Sequence, residues 1–240
     1  MLIYASNTSS WNLSKGMSAD GCSDPSVVEW KDKLMMMTAC DDGRRRVYES
    51  GDKGESWTEA LGTLSRVWGN KKDDEVKLVR SGFITATFDG VGEKRNVMLV
   101  TLPVYSKTED GGNGKEKGEL HLWLTDNTHI VDIGPVSGND DAAASSLLYK
   151  SAGSGSNEKE KEDKLIALYE KKGGTEKPSP SMASVRLTAQ LKRVKEVLTT
   201  WKEVDGRVSQ LCLSLNAAQG TSTGTACGAG QITAGLVGFL

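Results

Sequence analysis

Few residues in this chain are of types that do chemistry, and their spacing narrows the options quickly. The two histidines, His121 and His129, make no metal set; the pattern around them puts one on a strand face and the other in a turn. The four cysteines, Cys22, Cys40, Cys212 and Cys227, never approach Cys-x-x-Cys spacing. That argues against a zinc site or a thioredoxin-like motif. Cys212 and Cys227 flank a Ser/Thr/Gly/Ala-rich loop that a disulfide would usefully close. A bond there implies an oxidising, extracellular setting, and two ordinary thiols are the alternative. Gly112-Asn113-Gly114-Lys115 could cradle a phosphate, but no helix follows to supply the dipole. Asn7-Thr8-Ser9 and Asn12-Leu13-Ser14 are N-glycosylation sequons, common by chance, which together with the cysteine pair tilt the chain toward secretion. No metal and no cofactor is expected.

The most informative stretch is structural. Ser50-Gly51-Asp52-Lys53-Gly54-Glu55-Ser56-Trp57 reads S-x-D-x-G-x-x-W, the Asp box. The Asp52 carboxylate can turn back onto backbone N–H groups of a tight turn, and Gly54 suits the φ > 0 position the turn requires. Trp57 then starts the next strand and packs its indole under the turn. Such a motif staples a hairpin and does not catalyse. Tyr4 to Trp11 keeps the Trp in the same register but lacks the Asp and Gly. It is a decayed copy or an unrelated Trp on a strand.

Around these stretches the pattern is hairpin after hairpin. Strand pairs are expected in 1–16, 20–40 and 44–69, where Ala60 to Trp68 carries spaced apolar residues, then at 83–88 with 96–103, 120–124 with 130–136, and 145–150 with 165–169. Between them, 70–82 and 107–118 read as charged loops, and Ser151 to Asp163 as a flexible tip. Met182 to Leu187 is a last strand. The period then changes: Leu191, Val194, Val197, Leu198, Trp201, Val204, Val208 and Leu211 recur at three and four. That predicts one amphipathic helix from Thr188 to Leu211, loosened at Gly206, docked on the protein. Ile232 to Leu240 reads as a strand. Trp-closed hairpins at blade-like spacing suit a β-propeller better than a sandwich.

Composition excludes several classes. A formal charge of −2 and a pI near 5.8 give no general pull toward nucleic acid or acidic lipid. Apolar runs such as Leu34 to Met37 are too short to span a bilayer. The N-terminus lacks a basic n-region and a long apolar core, so no signal peptide is expected, nor a membrane anchor.

The segments GCSDPSVVEW (21–30), RRRVYES (44–50), EALGTLSRVWG (59–69), LHLWLTDN (120–127), SSLLYK (145–150), VLTTWKEVD (197–205) and GLVGFL (235–240) carry a resemblance. The chain resembles the trypanosomal trans-sialidase superfamily of surface glycoproteins, nearly end to end. The resemblance implies an all-β fold: a partial six-bladed β-propeller of sialidase type, about its second half, followed by one long amphipathic α-helix. It implies residues 1–187 as propeller, 188–213 as a linking helix and 214–240 as a loop and first strand leading to a lectin-like sandwich. It also implies host-cell surface glycoproteins or sialylated glycans as partners.

The family's chemistry is one the residues can fail. Sialidases use a Tyr nucleophile activated by a Glu, an exception to the two-carboxylate scheme, and three arginines grip the substrate carboxylate. By motif, the activating Glu falls at Asp24, which keeps the charge but sits one methylene short. The second arginine of the clamp falls at Ala39, just after Leu34 to Thr38. The third falls at Lys117, and an acceptor-holding aromatic at Lys115. The nucleophile position, directly before SSLLYK, is Ala144. Glu170 matches a Glu that braces the first arginine. Tyr149 is the nearest tyrosine and matches a core residue of the motif. No catalytic set is intact, so the expectation is an inactive glycosidase relative with an adhesive or antigenic role. The alternative is an active exo-α-sialidase or trans-sialidase.

Overall fold

The computed structural model describes residues 3–7, 10–15, 18–89, 94–106, 116–152, 162–173 and 181–219, with backbone alone for 3–11 and 211–219. Fifteen strands and one helix make up the described chain. β1 (Ile3–Asn7) and β2 (Ser10–Leu13) form a hairpin. β3 (Cys22–Trp30), β4 (Lys33–Cys40), β5 (Arg45–Ser50) and β6 (Thr58–Glu59) form an antiparallel sheet in that order. A small hairpin, β7 (Lys71–Lys72) with β8 (Glu75–Val76), leads into the next sheet. That sheet runs β9 (Gly82–Phe88), β10 (Arg95–Ser106), β11 (Lys117–Thr125) and β12 (Ile130–Pro135). The last is β13 (Ala142–Lys150), β14 (Lys164–Lys171) and β15 (Ser181–Arg186).

The sheets stack face to face, and this explains the continuous apolar runs. A strand covered on both faces needs no polar alternation. In β4, Met35 and Met37 join one cluster with Val100 and Leu102 of β10, while Met36 packs the opposite way with Tyr48 and Trp57. In β10 the same division sends Val97 and Leu99 toward Leu147 and Leu165, and Met98 and Val100 toward Trp30 and Trp68. Two apolar layers therefore flank the β9–β12 sheet.

The inner strands β3, β9 and β13 meet through hydroxyls. Ser26 Oγ donates to the Ser81 carbonyl at 2.7 Å, and Gly82 N donates to Ser145 Oγ at 3.2 Å. Approach is close here: a Cβ on Gly82 would lie 2.3 Å from Thr101 Oγ1. Only glycine fits.

The Asp-box turn closes through side chains as well as backbone. Asp52 Oδ1 accepts from Ser56 N at 2.9 Å and from Ser50 Oγ at 2.7 Å, and Oδ2 accepts from Ser56 Oγ. Ser50 Oγ in turn accepts from Gly54 N at 2.8 Å, and Gly54 has φ 95°. These hydrogen bonds, led by the Ser56 hydroxyl, hold the Asp52 carboxyl down at about 2. Trp57 is buried against Met36 and Tyr48.

Two expectations change. Ala60 to Trp68 is not a strand: turns occupy 61–66, and the spacing of Ala60, Leu64 and Trp68 reflects three side chains buried in one cluster beneath them. The helix α1 runs Thr188–Gln219, past Leu211 and unbroken at Gly206. A single interior glycine costs only about 1 kcal/mol. Leu191, Val194 and Leu198 are buried in the core and Val197 and Trp201 pack against it, but Val204 is 46% exposed, so only the first half of the stripe is docked. Cys22 and Cys40 face each other in the β3–β4 register and are disulfide-bonded. Cys227 and Ile232 to Leu240 lie outside the described residues.

Candidate functional site

One end of the strands gathers the positions singled out by sequence. β3 begins there with Cys22 opposite Cys40, β4 ends there with Ala39 opposite Ser23 and Arg45, and β11 begins with Lys117 opposite Ser106. β13 begins and β14 ends there, Ala142 facing Lys171.

Two breaks in register shape this end. β3 shifts between Ser23 and Ser26, and Asp24 sits in the shift, exposed, with φ 53°. Pro25 has no N–H to donate, so the ladder loses little there. Ser23 Oγ donates to Asp24 Oδ2 at 2.7 Å. β13 shifts between Ala142 and Ser145, and Ala144 sits in that shift, half-buried. Bulges of this kind re-aim side chains. Here they re-aim a carboxylate and a methyl group.

The other positions are less alike. Ala39 lies within β4 itself, not beyond it, and is fully buried. Lys117 and Glu170 are half-buried at the ends of β11 and β14. Lys115 lies outside the described residues, as do the Gly112–Gly114 segment and the tip 153–161. Asn12 is exposed on β2, and Asn7 ends β1. Tyr149 is at the far end of β13, where its hydroxyl donates to the Thr87 carbonyl at 3.2 Å and its ring meets Phe88. Burial, reinforced by Asp163, pushes its phenol above the usual range, the wrong direction for a nucleophile. Among the described residues no tyrosine hydroxyl hydrogen-bonds Asp24.

Sequence reasoning missed the cations that surround this end. Arg45 is 1% exposed. Its Nη1 donates to the Val79 carbonyl at 2.9 Å, while Nε and Nη2 are buried without a hydrogen-bond partner. Burial pulls its pKa down to about 10, against the opposing influence of Tyr105 and Asp24. Period-2 alternation through Arg44-Arg45-Arg46 was the available signal: in a strand the middle arginine must face opposite to its neighbours. Arg80 precedes β9 and links the two bulged strands. Its Nε lies 3.3 Å from Ser26 Oγ on β3, and its carbonyl accepts Ser145 N of β13 at 3.0 Å.

Nearby, Lys72 Nζ pairs with Asp141 Oδ2 at 3.0 Å and lies over the Tyr105 ring. Burial would raise Asp141, but the Gly118 N–H and Lys72 overcome it and hold the carboxyl low. Burial lowers Lys172, opposed by Asp141 and helped by repulsion from Lys72 and Lys77. Burial likewise raises Tyr105 to about 12.

The histidines are both engaged elsewhere. His121 lies between Asp132 at 2.8 Å and Glu119 at 3.3 Å, and His129 bonds Asp126 and stacks on Trp201. Among the described residues no group of three or more His, Cys, Asp or Glu could hold a metal. A cleft of about 490 Å³ opens at the opposite end of the strands, between Thr87, Asp163, Arg186 and Lys195, and includes none of the positions singled out by the sequence.

Antiparallel sheets meeting through their inner strands, an Asp-box hairpin and one long helix define a sialidase-type propeller fold. The model of the BNR repeat-like domain family matches residues 1–170, and the chain belongs to that family, as a homologue of the trypanosomal sialidases and trans-sialidases. It is 38% identical over 193 residues to a Trypanosoma cruzi protein named Sialidase, covering 80% of this chain and 15% of that one. It is 34% identical over 220 residues to Sialidase 85-1.1 of Trypanosoma cruzi, covering 89% of this chain and 26% of that one. Trypanosoma rangeli sialidase in complex with sialic acid superposes with a TM-score of 0.67 at 36% identity, over 86% of this chain and 30% of that one. The chain thus spans less than a third of each relative.

Proposed function

We propose that this is a cell-surface or secreted trans-sialidase-like protein that holds sialylated glycans of host-cell glycoproteins without cleaving them, in an adhesive or antigenic role. In this reading residues 1–187 belong to the propeller, 188–213 link, and 214–240 lead toward a lectin-like sandwich. Ala144 carries the proposal. A methyl group has no lone pair with which to form a glycosyl-enzyme bond, and removing a covalent nucleophile costs on the order of 10⁶ in kcat in a well-studied hydrolase. Ala39 adds to it, since a methyl cannot grip a carboxylate. The disulfide between Cys22 and Cys40 favours an oxidising compartment, as a surface or secreted protein meets.

The test is incubation with a fluorogenic sialoside alongside binding to an array of sialylated and desialylated glycans. Selective binding without turnover is the expected result. Turnover that Asp24→Ala or Tyr149→Phe abolishes would replace the proposal with an active exo-α-sialidase or trans-sialidase, the activity for which the Trypanosoma cruzi relatives are named.

A further inference from the structure

We propose that Arg80, backed by Arg45, forms a carboxylate-binding subsite in the gap between the bulges of β3 and β13, where it holds the acidic group of a sugar acid. This rests on the reading above that the strand-end face takes acidic glycans, and it assigns the charge to residues outside the positions discussed for turnover.

Three observations carry it. First, Arg80 is exposed and joins both bulged strands, bonding Ser26 two residues from Asp24 and receiving the N–H of Ser145 next to Ala144. Among the described residues no carboxylate pairs with it. A planar guanidinium so placed offers a fork that matches a carboxylate. Second, Arg45 stands behind the same linker on the Val79 carbonyl, with two guanidinium nitrogens buried and unpartnered. A buried cation left this unsatisfied calls for an anion or water nearby. Third, the local acids do not neutralise the set. Asp141 is taken by Lys72 and the Gly118 N–H, leaving Asp24 near Arg45. Lys172, exposed, adds a further cation near Lys72. A ligand carboxylate completes the balance.

The test is calorimetric titration of the intact chain with 3′-sialyllactose, glucuronate and lactose, in the wild type and in Arg80→Gln. Wild-type protein should bind both acids and not lactose, and Arg80→Gln should weaken both acids at least tenfold with an unchanged unfolding midpoint, because Arg80 is exposed. Lys172→Gln should weaken them less. Sialyllactose bound equally by wild type and Arg80→Gln would overturn this subsite and leave the glycan-holding function standing. Arg80-dependent binding of glucuronate without sialyllactose would keep the subsite and overturn the sialoglycan reading. Binding of neither acid would end both.

Discussion

Replacing Arg45 with Met separates a cation kept for a ligand from one kept for the fold. Arg45 is charged at neutral pH in both folded and unfolded chains, but burial lowers its folded pKa from 12.5 to about 10. At about 1.4 kcal/mol per unit, the folded state carries a penalty of about 3 kcal/mol for that charge. Methionine matches the stem and removes the charge, while the Val79 carbonyl loses one charge-assisted donor, a loss of about 1.5–3 kcal/mol. The balance is a gain of about 0–1.5 kcal/mol in unfolding free energy for Arg45→Met, in line with buried ion groups exchanged for apolar ones of similar volume. Equilibrium urea denaturation followed by tryptophan fluorescence reads this directly, with an unchanged m-value as the sign that the transition is comparable. Binding of acidic sugars should fall in the same variant. A variant that instead loses 2 kcal/mol or more would show that Arg45 is a satisfied structural cation, and the charge argument built on it would collapse.

Other expectations follow from the packing and the turns. Leu198→Ala, at a fully buried helix position, should cost about 3 kcal/mol, whereas Val204→Ala on the undocked half should stay within about 0.5 kcal/mol; equal effects by denaturation would contradict half-docking of α1. Breaking the disulfide between Cys22 and Cys40 by a double Cys→Ala change should cost about 3 kcal/mol, since the bond closes 18 residues. In a chain of this size that is a fall of about 6–12 °C in Tm, and calorimetry would show it. Acid should destabilise the Asp-box sheet: the Arg66 and Ser65 side chains hold Glu59 at about 2, and Ser56 and Ser50 hold Asp52 there too. Both folded pKa values are depressed, so their contribution is full above the ordinary carboxylate range and is lost as pH falls from about 4 toward 2. Stability measured against pH should be flat with respect to these two groups from 5 to 8, and Glu59→Gln should blunt the acid limb.

Which features were legible follows from the range of the forces involved. Hairpins depend on alternation and turn residues within a few positions, so β3 with β4, β9 with β10 and β13 with β14 could be read from the chain. The two-faced runs Leu34–Met37 and Val97–Leu102 were legible as strands, but not as strands between two apolar layers, because that requires knowing the neighbouring sheets. Ala60–Trp68 misled because burial beneath turns imitates the spacing of a strand. The helix outlasted its apolar stripe because docking ends near Trp201 while backbone hydrogen bonding continues. At the candidate site, nothing local announced the register shifts in which Asp24 and Ala144 sit. Arg45 and Arg80 were passed over because a run of arginines, or one in a charged loop, normally faces water.

The same separation of forces lets an architecture of this kind tolerate changes at its strand ends. The two apolar clusters lie between sheets, where Val97, Leu99, Leu122 and Leu165 on one side and Met35, Met98 and Trp68 on the other are almost completely buried. The Asp box closes its turn through hydrogen bonds among Ser50, Asp52, Gly54 and Ser56 themselves. Positions 24, 39 and 144 belong to none of these clusters, and Asp24 and Ala144 are not fully buried, so the identities of those two are weakly coupled to the energy that stacks the sheets. Two of the three are alanine, the residue with the smallest side-chain ordering cost after glycine. The strand ends can therefore change their side chains while the sheets stay registered. Arg45 is the exception: its burial ties the electrostatics of the site to the fold, so that losing it should weaken binding without costing stability, and this is why that residue, rather than Ala144, is where stability and binding should be seen to oppose one another.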